Sequence, residues 1–374
     1  MIYFDNSATT PVDERVLNVF DRVCLEYPGN SNSIHSLGVK SKNLEEYATK
    51  RIAKILGVKP SEIIYTSGAS ESNNLAIKGV CGKYDNRGHH IITTMLEHSS
   101  ISEPLKYLAK HGYEIDYVKI TDDGLVDLDN LKSLLRDDTV LVSICAVDSE
   151  IGLMQPIKEI GEIVKNYPKC YFHVDCTQAI GKIDVDFTNI DMASFSAHKF
   201  FGLKGIGVLV KKENIMIEPL IHGGKSTTIF RSGTPPLPLI VSLMKALDLI
   251  YVNIPDNYKY VSELNKVLID GLKQYKNIHI NSTNNSLCYI INFSIHGIKP
   301  ETLVHALEEY NIFISTKSAC SSTNTISDSV YALTKDKNIA STAIRVSLSH
   351  LTRLEEVEVF LKEFDSIYKS YYKD

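Results

Sequence analysis

The absences in this sequence set its limits first. No uninterrupted apolar run approaches the ~18 residues that mark a membrane span, and the opening residues MIYFD carry no basic stretch followed by an apolar one. Both point to a cytoplasmic protein with no membrane partner. The seven cysteines have no framework spacing and no Cys-x-x-Cys pair, which fits a reducing compartment better than a disulfide scaffold or a zinc site; no metal is expected. Cys24, Cys81, Cys145, Cys170, Cys176 and Cys288 fall in apparent helices or strands and are expected to be core or near-core packing. Nor is one sign of charge in marked excess. With 40 basic and 45 acidic residues and a formal net charge of -5, nucleic acid is not the expected partner. A small-molecule substrate or a protein partner remains. Internal repeats, low-complexity tracts and flexible linkers are also missing.

What is present is a chain of 374 residues, long enough for two domains at ~150 residues each with cores that need neither disulfides nor metals. From 14 to 250, short β-rich runs alternate with helical patterns, the signature of repeated βα units around a mostly parallel sheet. The runs are 62–66 (EIIYT), 90–95 (HIITTM), 139–147 (TVLVSICAV), 171–174 (YFHV), 191–195 (DMASF) and 206–210 (IGVLV). Between them, 99–111 and 156–167 have helical apolar spacing. After Pro235, Pro236 and Pro238 the character changes: a long helical pattern from Leu239 leads into 258–275, followed by strands such as 289–294 and a last helix near 353–371. The expected fold class is α/β, with a large domain over 14–250 and a smaller α+β domain made of 1–13 and 251–374. A site is expected in the cleft between them.

Several stretches carry chemistry. In SFSAHK (194–199), followed by GLKGIG (202–207), Lys199 stands at the exit of a buried strand beside hydroxyl and imidazole groups. There it could lose its proton by desolvation and attack an aldehyde, or be an ordinary surface lysine. Upstream, VDCTQ (174–178) puts Asp175 just past a strand. Pyridoxal phosphate needs such an acid against its pyridinium nitrogen, because the protonated ring is the electron sink; a helix cap is the other reading. TSGASES (66–72) follows a strand and opens a helix, so its backbone N–H groups and the helix dipole suit a phosphate, or simply a capping box. His98, in LEHSS (96–100), again sits beyond a strand end, a place where a structural histidine is also common.

In this order the segments resemble fold-type I pyridoxal-phosphate enzymes of the class V aminotransferase group, and within it the cysteine desulfurases of iron-sulfur cluster assembly. The resemblance spans nearly the whole chain: YFDNSATTP (3–11), Gly29 and Asn30 with His35, SGASESNN (67–74), His98, VDCTQ, SAHK, RSGT (231–234), SACS (318–321) and IRVSL (344–348). It implies that Lys199 bonds the cofactor aldehyde, that Asp175 pairs with the pyridinium nitrogen, and that His98 stacks on the ring and assists proton transfer. Gln178 and the residue at 149 would approach the ring's phenolic oxygen. Ala69, Ser70, Ser196 and His198 would hold the phosphate, with Thr234 reaching in from a second subunit, which makes the unit a homodimer. Arg345 would clamp the substrate carboxylate as a bidentate guanidinium, with Asn30 nearby; a strand-end ion pair is the alternative for Arg345.

Cys320 separates a desulfurase from a plain aminotransferase. It lies in the small, polar stretch STKSACSSTN (315–324), which suits a loop. A thiolate there would take the sulfur of L-cysteine as a persulfide, leave L-alanine, and pass the sulfur to a scaffold or carrier protein. Four departures from the family pattern accompany the match. Ser149 stands where Asn is usual, 222–230 (HGGKSTTIF) lacks the usual acidic and glycine residues, Ala197 replaces a common Gly, and Lys317 sits where Gly is typical. The rival expectations are a selenocysteine lyase, an ordinary class V transaminase in which Cys320 is dispensable, and a diverged partner subunit that binds cofactor without turnover.

Overall fold

The structure is a computed structural model and describes residues 1–224, 228–316 and 326–372. In chain order its strands are β1 (Ile2–Tyr3), β2 (Ile63–Thr66), β3 (His90–Thr93), β4 (Glu114–Tyr117), β5 (Thr139–Cys145), β6 (Tyr171–Asp175), β7 (Met192–Ser196), β8 (Gly207–Lys211), β9 (Ile278–Ile280), β10 (Ile290–Ile295), β11 (Ile312–Phe313) and β12 (Ala343–Ser347). The helices are α1 (Glu14–Glu26), α2 (Ser36–Leu56), α3 (Ala69–Lys83), α4 (Ser99–Ala109), α5 (Leu128–Leu134), α6 (Ile157–Val164), α7 (Leu237–Ile250), α8 (Ile254–Leu272), α9 (Pro300–Glu308), α10 (Asp328–Thr334), α11 (Lys337–Ser341) and α12 (Leu354–Tyr371).

Seven strands form the large sheet in the order β2-β8-β7-β6-β5-β3-β4. Only β8 runs antiparallel to its neighbours, β2 and β7, so the α/β class with a mostly parallel sheet holds. Strands β5, β7 and β8 are buried along their whole length, which is why TVLVSIC and GVLVK are mostly apolar and do not alternate with charged residues. Successive side chains still go to opposite faces: Ile91, Leu141 and Leu209 pack against α3 and α4, whereas Ile92, Val142 and Val208 join the core with Ile240, Leu243 and Leu247 of α7. The register places Cys145 beside Asp175, Asp175 beside Ser194 and Ser196 beside Gly207. The carboxyl ends of β5, β6 and β7 therefore reach one edge, where open α/β sheets bind their ligands.

The second sheet is antiparallel, in the order β12-β10-β9. Phe293 of β10 meets Phe364 of α12 edge to face at 6.0 Å. Strand β1 pairs in parallel with β11, and the amide of Ser347 donates to the carbonyl of Phe4 at 2.7 Å, so the first residues are stitched to the C-terminal part of the chain.

Each strand read from sequence is found within two residues of its expected ends. The edge strand β4 was not anticipated, because EIDY is only half-buried and lacks an apolar run. The stretch Leu237–Leu272 is long and apolar enough by composition to cross a membrane, although polar residues interrupt its apolar runs. Yet 50% of its most apolar window is buried inside the protein, with α7 packed on α1 and α2; an all-round apolar helix in such a place is a core helix. Five of the six cysteines assigned to packing are buried. Cys24 is a correction: it is exposed, because α1 buries only Val16 and Val23.

Candidate active site

A cavity of about 420 Å³ opens at the carboxyl edge of the large sheet. Its wall contains Ala69, Ser70, His98, Ser149, Asp175, Gln178, Ser196, His198 and Lys199, so residues spread over 131 positions of sequence converge as the motifs implied. Lys199 closes a short 3-10 turn directly after β7. Its Nζ donates to the carbonyls of Ser7 at 2.5 Å and Ala8 at 2.9 Å, which fixes where the amine points. The turn is itself gripped by the N-terminal segment. The Phe201 amide donates to Thr10 Oγ1 at 2.7 Å, and the Phe201 carbonyl accepts from the Asp13 amide at 3.0 Å. Phe201 is held there at φ 65°, a conformation a bulky side chain adopts only under tertiary constraint.

Asp175 ends β6 with both oxygens occupied: Oδ1 accepts from the Thr177 amide at 2.9 Å and Oδ2 from Asn73 Nδ2 at 2.8 Å. It is thus both a turn cap and a carboxylate on the cavity wall. His98 caps α4, its Nδ1 accepting from the Ser100 amide at 3.1 Å. Burial pushes the His98 pKa down, against the pull of Asp175. His198 is pushed down to about 4 by burial, helped by Lys199, Lys204 and Lys182. Lys199 and Lys204, both on the wall, make this end of the cavity electropositive. Gly68 begins α3 without a side-chain cap, leaving the first amides of the helix for another acceptor. The backbone of β8 passes close beneath: a Cβ on Gly207 would lie 2.6 Å from Gly68 Cα.

The whole-chain comparisons agree with this geometry. The family model described as aminotransferase class-V matches residues 2–360. The chain belongs to the class V aminotransferase family. It is 40% identical to the NifS/IcsS protein homolog of Lactobacillus delbrueckii subsp. bulgaricus, over 100% of this chain and 98% of the relative. To cysteine desulfurase IscS of Dictyoglomus turgidum it is 37% identical, over 98% and 94%. A solved structure of a NifS-like protein superposes with a TM-score of 0.93 at 38% identity, covering 99% of each chain.

Enzymes of this family use pyridoxal phosphate, and the residues present fit it. A lysine amine, an opposing carboxylate and an uncapped helix N-terminus in an electropositive pocket supply partners for an aldehyde, a ring nitrogen and a phosphate. Thr177 adds an observation of its own: its Oγ1 is buried at the cavity with no hydrogen-bond partner among the described residues, the state expected of a group whose partner is a ligand.

Other sequence candidates lie off the wall. Arg345 is 1% exposed; its Nη2 pairs with Asp5 Oδ1 at 2.9 Å and its Nη1 donates to the Ser149 carbonyl at 2.9 Å. The ion pair named as the alternative for this residue is therefore present, yet Nε is buried without a partner among the described residues, beside the cavity through Ser149. Asn30 binds the Asn32 amide at 2.9 Å, and neither it nor Thr234 is on the wall. Cys320 and Lys317 lie outside the described residues. Of the departures, Ala197 is accommodated by Gly202, where a Cβ would fall 2.7 Å from the alanine methyl. Sequence reasoning missed Asn73, Thr177 and Lys182. The first two lay inside quoted motifs, and Asn73, four residues after Ala69, shares its helix face. Lys182 carried no local signal.

Proposed function

We propose that this protein is a pyridoxal-phosphate cysteine desulfurase that converts L-cysteine to L-alanine and leaves the sulfur as a persulfide on Cys320. The observation that carries this reading is the convergence of Lys199, Asp175, His98 and the α3 N-terminus on one cavity, in a chain whose full-length relatives bear that name. When bound, the cofactor supplies an electron sink. Lys199 would bond its aldehyde carbon, with the Ser7 and Ala8 carbonyls setting the amine's direction. Asp175, already steadied by Asn73, would take the ring nitrogen, and Gln178 and Ser149 the phenolic oxygen. Ser70, Ser196 and His198 would hold the phosphate.

In the same reading Thr234 completes that phosphate site from a second copy, so the working unit is a homodimer. Arg345 and Asn30 receive the substrate carboxylate. Cys320 delivers its sulfur to a scaffold or carrier protein in the cytoplasm, and its segment belongs with 1–13 and 251–374 as a smaller domain against 14–250. Support for the dimer comes from Thr234 standing off the cavity wall of its own chain. The deciding assay incubates purified protein with pyridoxal phosphate, L-cysteine and a dithiol, which reduces the persulfide and releases its outer sulfur, and measures alanine and sulfide. Cys320→Ser should retain cofactor and fold yet lose at least ~100-fold of the sulfide rate, because a hydroxyl is a far weaker nucleophile than a thiolate. Sulfide at the parent rate from that variant rejects the persulfide route.

A further inference from the structure

Four residues beyond Gln178 stands Lys182, 6% exposed. The segment 176–183 winds through backbone bonds of the helical kind, Ile180 N to the Cys176 carbonyl at 3.0 Å and Ile183 N to the Ala179 carbonyl at 3.1 Å, so positions 178 and 182 share one side. Gly181 lets this segment close on the turn that carries Lys199: its φ is 78°, and a Cβ there would lie 2.9 Å from Phe200 Cβ. Lys182 Nζ thereby reaches two acceptors, Gln178 Oε1 at 3.3 Å and the Lys199 carbonyl at 3.4 Å. Among the described residues no carboxylate acts on it. At its other end the Gln178 amide donates from Nε2 to the Ser7 carbonyl at 3.0 Å, the carbonyl that also receives the Lys199 amine. Reversing the amide would set Nε2 against an ammonium and Oε1 against a carbonyl oxygen, so its orientation is fixed from both ends. Nε2 keeps a second N–H, and the side chain lines the cavity.

We propose that Lys182 is a positioning residue for Gln178: by occupying Oε1 it makes Gln178 present an N–H, and not a carbonyl oxygen, to the ring's phenolic oxygen. The inference rests on the cofactor site described above and adds to it what sets the polarity of one part of the wall. An anionic oxygen is stabilised by a donor and repelled by a carbonyl, so the sign of that contact depends on which way the amide stands. Burial presses Nζ toward the neutral amine, helped by Lys199, yet an amine still carries two N–H groups, one for each of its acceptors. Its contact with the Lys199 carbonyl has a second consequence. The backbone of the lysine that would bond the cofactor and the amide that would face the phenolic oxygen are tied to one side chain. Lys182 itself is not on the cavity wall, so it acts through these neighbours.

The test follows the pH titration of the visible absorbance of the pyridoxal-phosphate-loaded protein through a double-mutant cycle of Lys182→Met and Gln178→Ala. Lys182→Met should raise the midpoint by about one pH unit, the scale of one lost hydrogen bond to a charged oxygen, because losing a donor to the anion favours the protonated form. Gln178→Ala should raise it by a similar amount. With Gln178 already removed, adding Lys182→Met should move the midpoint by no more than about 0.3 unit, the uncertainty of such a cycle. A full second shift would show that the lysine acts by its charge on the cofactor and overturns the proposal, as does an unmoved midpoint in Lys182→Met alone. Should Lys182→Met not fold, Lys182→Gln, whose nitrogen falls one bond short, should shift the midpoint in the same direction, again only with Gln178 present. Failure of the desulfurase reading would show differently, as absent sulfide release with these shifts intact.

Discussion

Asp5 and Arg345, 340 positions apart in the chain, form an ion pair of 2.9 Å whose guanidinium side is 2% exposed and whose carboxylate side is 23% exposed. A charge so enclosed depends on its partner: removing one side leaves an unpaired ion in a poorly solvated place. Asp5→Ala should therefore lower unfolding stability by about 3 kcal/mol, read as a reduced urea midpoint at constant m-value. A loss below ~1 kcal/mol, the range of a solvent-exposed pair, would mean that Arg345 relaxes toward water.

Lys199→Ala should abolish the visible absorbance that develops when pyridoxal phosphate is added to the wild type. Borohydride reduction of the wild type followed by peptide mapping should place the label on Lys199. A reduced adduct on Lys182 or Lys204, both near the same pocket, contradicts the assignment.

Ser149 lines the cavity, and its carbonyl is already engaged by Arg345 Nη1. A longer amide side chain at 149 would add a donor on the phenolic side. A hydrogen bond to a charged oxygen contributes about 1.5–3 kcal/mol, or about one pH unit or more. Ser149→Asn is expected to lower the midpoint of the cofactor's absorbance titration by that amount and to raise cysteine turnover. If neither moves, the divergence from the family pattern at this position is neutral.

Lys182 is buried, with Nζ 3.3 Å from Gln178 Oε1 and 3.4 Å from the Lys199 carbonyl. Burial, with a smaller contribution from Lys199, pushes its pKa from 10.5 down to about 7. Between those values the unfolded chain binds a proton that the folded chain does not, so stability rises with pH across that window. Relative to Lys182→Met, the wild type should gain melting temperature from pH 7 to pH 9. A constant difference between the two would place the ammonium in contact with water.

Much of the site was legible because its chemistry is local. SAHK, VDCTQ and SGASESNN each sit where a strand ends, and a strand end in a parallel sheet delivers its side chains to one edge whatever the intervening helices do. What the sequence concealed was reached only through tertiary contact. Nothing around Lys182 announces burial, and the partner of Arg345 lies at the other end of the chain. The exposure of Cys24 likewise follows from which side of α1 meets α7. Leu237–Leu272 shows the reverse problem, since composition alone does not tell a core helix from a spanning one.

The carbonyls that steady the Lys199 amine belong to Ser7 and Ala8, and those residues are seated by the far end of the molecule. Ser7 N donates to Ser347 Oγ at 2.9 Å, and Asn6 Nδ2 donates to the Ser347 carbonyl at 2.9 Å across 341 positions. During synthesis, then, the lysine emerges well before its rest can be built. A nascent chain that has not yet reached 347 holds its reactive amine but lacks the residue that seats Ser7. The geometry of the amine is in that sense completed from β12, well after the lysine itself is made.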